Sequence, residues 1–248
     1  MNKTYVCSDI HSHLDVLNKA LSEMDDTDVL YVIGDAIDKG PDGIQVLLKI
    51  MNDSRCKMLI GNHELMMLQY LTALRREDFD KYDFEDIEYI WIRRNGGRAT
   101  YRDFKKCSDE EKEQIFEFLK NMYVSKNVTI GDMKYYLIHA GIPVWNTLKG
   151  KTDTDCNIKV SDLKIKDSPG YDWKNEYVWM RDVTAIEGKT VVTGHTPVMY
   201  YGENEVIYDK ENDWYDIDCS LATRRKGSML AVLCLDDKSI KYYEPEKY

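Results

Sequence analysis

Asn62 and His63 stand side by side in Gly61-Asn62-His63-Glu64, directly after the apolar run 56–60 and directly before a helical pattern of Leu65, Met66, Leu68, Leu71 and Leu74. The pattern implies a strand, a tight turn and a helix, with an amide and an imidazole at the carboxyl end of the strand. In open α/β sheets ligands bind at that edge. Two earlier runs end in the same way, one on Asp9 and His11, the other on Asp35 and Asp38, and two later ones end on His139 and His195. Carboxylate, imidazole and amide ligands suit Mn²⁺, Fe or Zn²⁺ better than a thiolate-loving metal. The candidate ligands are therefore Asp9, His11, Asp35, Asn62, His139 and His195. They suffice for two ions if Asp35, central in the series, bridges. Two ions about 3.5–4 Å apart can hold a bridging hydroxide and clamp a phosphoryl group for in-line attack.

A leaving alkoxide needs a proton. His63 adjoins a ligand without having to be one, and Asp38 can fix its tautomer, so this pair is the candidate general acid. The phosphate oxygens call for fixed cations, and arginine is the best bidentate donor. Arg181, in Trp179-Met180-Arg181-Asp182, leads the candidates; Lys39, Arg94, Arg98 and the Arg224-Arg225-Lys226 loop follow. Asn62 counts as a substrate contact as well as a ligand. One histidine or aspartate at a strand end is ordinarily a turn or surface group, but six in series with an acid pair call for a common explanation. His13 has no role in this scheme and belongs on the first turn of a helix. Cys7 reads as a small buried apolar residue, and Gly96-Gly97 as a plain turn more readily than a phosphate cradle.

The elements that must position these groups follow from periodicity. Three strands alternate with three helices up to residue 74, which favours a parallel sheet with right-handed crossovers. Residues 75–126 are charged and mostly helical in pattern, and read as an insertion within one domain spanning 1–248. Strands over 127–130 and 134–138 pair as a hairpin. Residues 146–175 read as a surface loop, and a short helix over 176–181 precedes a strand over 190–193. The remainder reads as antiparallel strands. The net charge of −10 argues against a general nucleic-acid or anionic-membrane binder. The six cysteines form no C-x-x-C pair, which fits reduced thiols. The absence of a signal-like or membrane-spanning run leads us to expect a cytoplasmic protein.

Asp9-Ile10-His11, Gly34-Asp35-Ala36-Ile37-Asp38-Lys39-Gly40, Gly61-Asn62-His63-Glu64, His139-Ala140-Gly141 and Gly194-His195 together resemble the ordered motifs of the metal-dependent phosphoprotein phosphatases. The small bacterial and phage members are nearest in pattern, and the symmetrical diadenosine tetraphosphate hydrolases are related. The resemblance implies a calcineurin-like fold: a four-layer α/β/β/α sandwich with a dimetal site at the strand ends. It also implies the metal and acid roles above. The segment Trp179-Met180-Arg181 is similar to one that carries a phosphate-binding arginine in phage-type enzymes. Three positions depart from the pattern: Lys39 replaces an arginine, and Ser12 and Ser220 stand where glycine is common. The function expected is Mn²⁺-dependent hydrolysis of phosphoserine and phosphothreonine in proteins. The alternatives are a symmetrical dinucleoside polyphosphate hydrolase, with Trp91, Arg93, Arg94 and Arg98 lining a nucleotide pocket, and a non-catalytic metal-binding scaffold.

Overall fold

The computed structural model describes residues 2–77, 81–142, 157–160 and 177–246. The first three apolar runs form β1 (Thr4–Cys7), β2 (Val29–Ile33) and β3 (Cys56–Leu59), which are parallel neighbours. Their crossovers are α1 (Leu14–Ser22), α2 (Gly43–Asn52) and α3 (Asn62–Ala73). The inward stripes are those expected from helical spacing: Val16, Leu17, Ala20 and Leu21 on α1, and Ile44, Val46, Leu47 and Ile50 on α2. Helix α3 is buried on nearly every face, because helices of the 75–126 segment cover its outer side. Among the described residues that segment holds α4 (Lys81–Glu88), a π-helix (Tyr89–Arg94), α5 (Arg98–Phe104) and α6 (Asp109–Lys120). A capping box starts α6: Ser108 Oγ accepts from the Glu111 N–H at 3.2 Å, and the Glu111 carboxylate accepts from the Ser108 N–H at 2.8 Å.

The second sheet contains β4 (Ser125–Ile130), β5 (Met133–Ile138), β6 (Thr190–Thr193), β7 (Ile207–Asp209) and β8 (Trp214–Asp216), in the order β4-β5-β6-β8-β7. The chain then returns through β9 (Leu230–Cys234) and β10 (Ile240–Tyr243) to complete the first sheet, β10-β9-β1-β2-β3. Val6, Ile33, Leu59 and Leu233 of one sheet meet Leu137, Val192 and Tyr215 of the other. The result is two mixed sheets flanked by helices, the arrangement that the resemblance implies.

Three expectations need correction. The strands after residue 195 are not all antiparallel: β8 runs parallel to β6, because the β7 excursion brings the chain back beside β6 in the same direction. Most of the expected surface loop at 146–175 lies outside the described residues, but residues 157–160 do not form a surface loop. The Val124 N–H donates to the Ile158 carbonyl at 2.7 Å, and Val160 is buried in the helical-side core. Of the expected helix over 176–181, residue 176 is outside the described set; residues 177–178 make a single 3-10 turn, and Arg181 follows in irregular backbone. Cys7, Cys56, Cys107, Cys219 and Cys234 are unpaired thiols, and Cys156 is outside the described residues. Among the described residues no helix is long and apolar enough to cross a membrane.

Candidate metal centre and acid dyad

Strands β1, β2 and β3 of the first sheet and β5 and β6 of the second stop one to three residues before a candidate ligand, and the backbone at several of these turns enters a rare conformation. Asp9, His11, Asp35, Asp38, Lys39 and His195 all have positive φ, from 43 to 69°. Left-handed backbone costs a non-glycine residue roughly 1–2 kcal/mol and persists only where its surroundings enforce it. Here they do: the Asp9 N–H donates to the Gly34 carbonyl at 3.1 Å, and the His11 N–H to the Asp35 carbonyl at 3.0 Å. Ser12 and Ser220 also lie in this region, at φ 66 and 67°, which accounts for glycine being common at such positions.

The turns bring the six candidate ligands together. His11 Nε2 lies 3.5 Å from Asp9 Oδ1 and 3.6 Å from Asp35 Oδ2. His139 Nε2 lies 3.3 Å from Asp35 Oδ1 and 3.0 Å from Asn62 Oδ1. The atoms of His11, Asp35 and His63 form one buried triad, and those of Asp35, His139 and His195 a second, with Asp35 common to both. The Asp9 carboxylate links the halves: Oδ1 faces His11, and Oδ2 accepts from the His195 N–H at 2.9 Å and from the Ser8 hydroxyl.

The donor chemistry fits metal ions. Backbone carbonyls of Ile37 and Ile33 face Nδ1 of His11 and His139 at 3.1 and 2.8 Å. A carbonyl only accepts, so each Nδ1 carries a proton, and each Nε2 faces carboxylate or amide oxygen, the position from which it can ligate. Buried acceptors converging on one another are stable only around positive charge. The electrostatics agree: burial opposes a charged His139, but the fields of Asp35 and Asp9 hold its pKa up at about 10. His195 is pushed down to about 3 by burial and by His139, so its imidazole is neutral and able to ligate.

One carboxylate organises the first triad from behind. Glu64, fully buried, accepts the N–H groups of Asp35 (2.8 Å), Ala36 (2.9 Å), Ile37 (3.2 Å) and Gly61 (3.0 Å). Burial and the neighbouring Asp35 raise its pKa to about 7. Gly61 must be glycine because a side chain there would strike the Asp35 carboxylate.

His63 and Asp38 form the expected pair, with Nδ1 2.8 Å from Oδ2 and both residues buried. Burial works against the imidazolium, yet Asp35 and Asp38 raise the net His63 pKa. Its Nε2 faces Asp35 Oδ2 at 3.7 Å. The expected phosphate cations divide. Lys39 Nζ reaches His11 Nε2 at 3.3 Å, at the mouth of the first triad. Arg181 is exposed beside the second; its guanidinium lies 5.8 Å from the Tyr200 ring, and its charge helps to depress His195. Arg94 and Arg98 are exposed on either side of the 95–97 turn, whose Gly96 carbonyl accepts from the Lys39 N–H at 3.3 Å, so the turn that carries them adjoins Lys39. Arg224 borders Gly40 at the rim. His13 is the N-cap of α1, just before the first turn where it was expected, and belongs to neither triad.

Sequence reasoning missed the parts played by Glu64, by Trp91, whose indole N–H donates to Asp38 Oδ2 at 2.9 Å, and by Asp216 and Asp218, buried on the far side of Asp9. A glutamate three residues after a helix-starting glycine is the one local signal available.

A buried His/Asp centre at the strand ends of two mixed sheets flanked by helices is the architecture of the metallophosphoesterase fold. The chain belongs to the calcineurin-like phosphoesterases, whose family model matches residues 3–221. It is similar to the symmetrical bis(5'-nucleosyl)-tetraphosphatase of Pectobacterium carotovorum, with 26% identity over 148 residues, 58% of this chain and 45% of that protein. It is also similar to the serine/threonine-protein phosphatase 2 of Escherichia coli, with 27% identity over 153 residues, 59% of this chain and 62% of that protein. Both matches span less than two thirds of the relative's length. Among solved structures, a protein provisionally named a diadenosine tetraphosphatase superposes with a TM-score of 0.59 over 97% of this chain and 92% of that chain, at 15% identity. A protein serine/threonine phosphatase of Saccharomyces cerevisiae gives 0.54 over 100% and 81%, also at 15% identity. These two likenesses concern the fold.

Proposed function

We propose that the protein is a dimetal-dependent phosphomonoesterase acting on phosphoserine and phosphothreonine in proteins, with Mn²⁺ as the working metal. The observation that carries the proposal is the buried His63–Asp38 pair at 2.8 Å beside the two triads that share Asp35. Asp9, His11, Asp35, Asn62, His139 and His195 would hold the ions, which would supply Lewis acidity and a water of lowered pKa. His63 would give the proton to the leaving oxygen from Nε2, with Asp38 holding Nδ1. Arg181 and Lys39 would meet the phosphate oxygens from opposite sides, and Asn62 would contact substrate as well as metal. A scaffold that needed only metal has no use for a buried acid pair.

One observation supports a phosphoprotein over a dinucleoside polyphosphate: the match to the Escherichia coli phosphatase covers 62% of that protein, against 45% of the Pectobacterium tetraphosphatase. The test compares kcat/KM of the Mn²⁺-loaded protein on phosphoserine and phosphothreonine peptides with that on diadenosine tetraphosphate. A preference for peptides of about a hundredfold, near 2.7 kcal/mol in transition-state binding, is expected. The reverse preference would reassign the substrate, and no turnover of either would sink the proposal.

A further inference from the structure

The 75–126 segment reaches the acid dyad directly. The Trp91 Nε1–H donates to Asp38 Oδ2 at 2.9 Å, the oxygen that also faces His63 Nδ1 at 2.8 Å. The other Asp38 oxygen, Oδ1, is buried and has no hydrogen-bond partner among the described residues. Behind this contact the Asp38 N–H donates to Thr100 Oγ1 at 3.2 Å, and the Lys39 N–H donates to the Gly96 carbonyl at 3.3 Å. Trp91 and Thr100 are fully buried. The indole is itself fixed: Tyr70 and Tyr101 pack on it with ring centroids at 5.3 and 6.2 Å. A side chain at Gly97 would come within 2.6 Å of the indole nitrogen, so that turn is shaped to admit the ring rather than an anion. Trp91 sits on the π-helix over Tyr89–Arg94, a helical irregularity found often at functional sites.

We propose that Trp91, backed by Thr100, is a positioning residue for proton delivery. Its N–H fixes the rotation of the Asp38 carboxylate and thereby the direction in which His63 presents its proton. The inference rests on the phosphoesterase reading above. Without the indole donor, Oδ1 and Oδ2 of Asp38 become nearly equivalent, and the carboxylate can turn away from His63. The bland account is that a buried tryptophan satisfies its N–H on the nearest acceptor. The two accounts differ in what the reaction feels. When the phosphorus–oxygen bond breaks, its electron pair goes to the leaving oxygen, which takes the His63 proton. A phenoxide leaving group needs that proton; a dinitrophenoxide departs without it. A positioning role affects only the first, whereas a packing role affects both.

The test uses the full chain loaded with Mn²⁺, and compares phenyl phosphate with 2,4-dinitrophenyl phosphate for the parent and Trp91→Phe. The kcat on phenyl phosphate is expected to fall about tenfold while that on the dinitrophenyl ester stays within about twofold. In an Asp38→Asn background, Trp91→Phe should add almost nothing, because both act on one unit. Thr100→Val, nearly isosteric, should give the same split at about threefold, and decides alone if Trp91→Phe does not fold. Equal losses on both esters, or no loss on either, would overturn the positioning role while leaving the phosphoesterase reading standing. A parent that hydrolyses neither ester would overturn both.

Discussion

The acid side of the cleft and the Arg181 side are built to different standards of order. On the acid side, His11, Asp35, Asp38, His63 and Glu64 are all at most 2% exposed, and the turns that carry them are tied by Glu64, Thr100 and Trp91. On the other side, the His195 ring makes no hydrogen bond among the described residues, and Trp179, Tyr200 and Tyr201 are 38, 69 and 52% exposed. Proton delivery needs fixed geometry, because a general acid must lie within hydrogen-bond reach of the leaving oxygen. Substrate entry needs the opposite. The division sets a rigid, fully buried acid side against a more open side around His195.

The sharpest way to break this comparison is to cut one group on each side. Glu64→Ala leaves four buried N–H groups without their acceptor. At about 1–3 kcal/mol for each unsatisfied donor, the loss should reach about 4 kcal/mol or more, a large part of a typical domain's stability. Arg181→Ala, on an exposed side chain, should stay within about 0.5 kcal/mol. Denaturant midpoints with matched slopes would measure both. Similar losses for the two variants would remove the distinction.

The same contrast separates what the sequence discloses from what it hides. The placement of Asp9, His11, Asp35, Asn62, His139 and His195 at strand ends was legible because each follows an apolar run, and an apolar run ending in a turn is a local pattern. The two-sheet fold was legible through the ordered motifs those residues belong to. Glu64 was not legible as an organiser, since three of its four partners lie 27 to 29 residues away across a strand register. Trp91 is 53 residues from Asp38, and only the packing of the helical segment brings them together. The parallel pairing of β8 with β6 escaped for a related reason: three-residue strands such as β7 and β8 carry too little alternation to fix direction.

A smaller effect should separate His139 from His195. His139 is fully buried, with Nδ1 on the Ile33 carbonyl and Nε2 facing Asn62 and Asp35. The His195 ring makes no hydrogen bond among the described residues and meets ring edges, 5.1 Å from His139 and 6.1 Å from Trp179. Groups that orient a ligand contribute about 10–100-fold to metal affinity. His139→Asn should therefore weaken Mn²⁺ binding about tenfold more than His195→Asn does, as read by chelator competition. Equal weakening would mean that orientation contributes nothing here and that the open side binds metal as firmly as the closed one.

The smallest effect tests whether the second sheet bears a cost for the charges crowded behind Asp9. Asp216 on β8 is fully buried, its Oδ1 accepts from the Asp218 N–H at 3.2 Å, and its Oδ2 has no partner among the described residues. Burial above all, with Asp9 assisting, lifts its pKa to about 8 from the 3.8 of a free side chain. Between those two values the folded state binds a proton that the unfolded chain releases. Stability is therefore greatest below pH 3.8 as far as this group is concerned, and declines as pH rises through 8. Asp216→Asn keeps the Oδ1 acceptor and has no charge to lose, so the slope should flatten. In the metal-free protein the variant should be about 1–2 kcal/mol more stable than the parent at pH 8, because Asp218 competes for the same proton and limits the gain. The advantage should shrink at pH 5, where the parent's carboxyl is already protonated in the fold. An Asn variant that is less stable at pH 8, or a gain that does not vary between the two pH values, would show that the Asp216 carboxylate is solvated or paired in solution, and that the second sheet carries no electrostatic cost at this point.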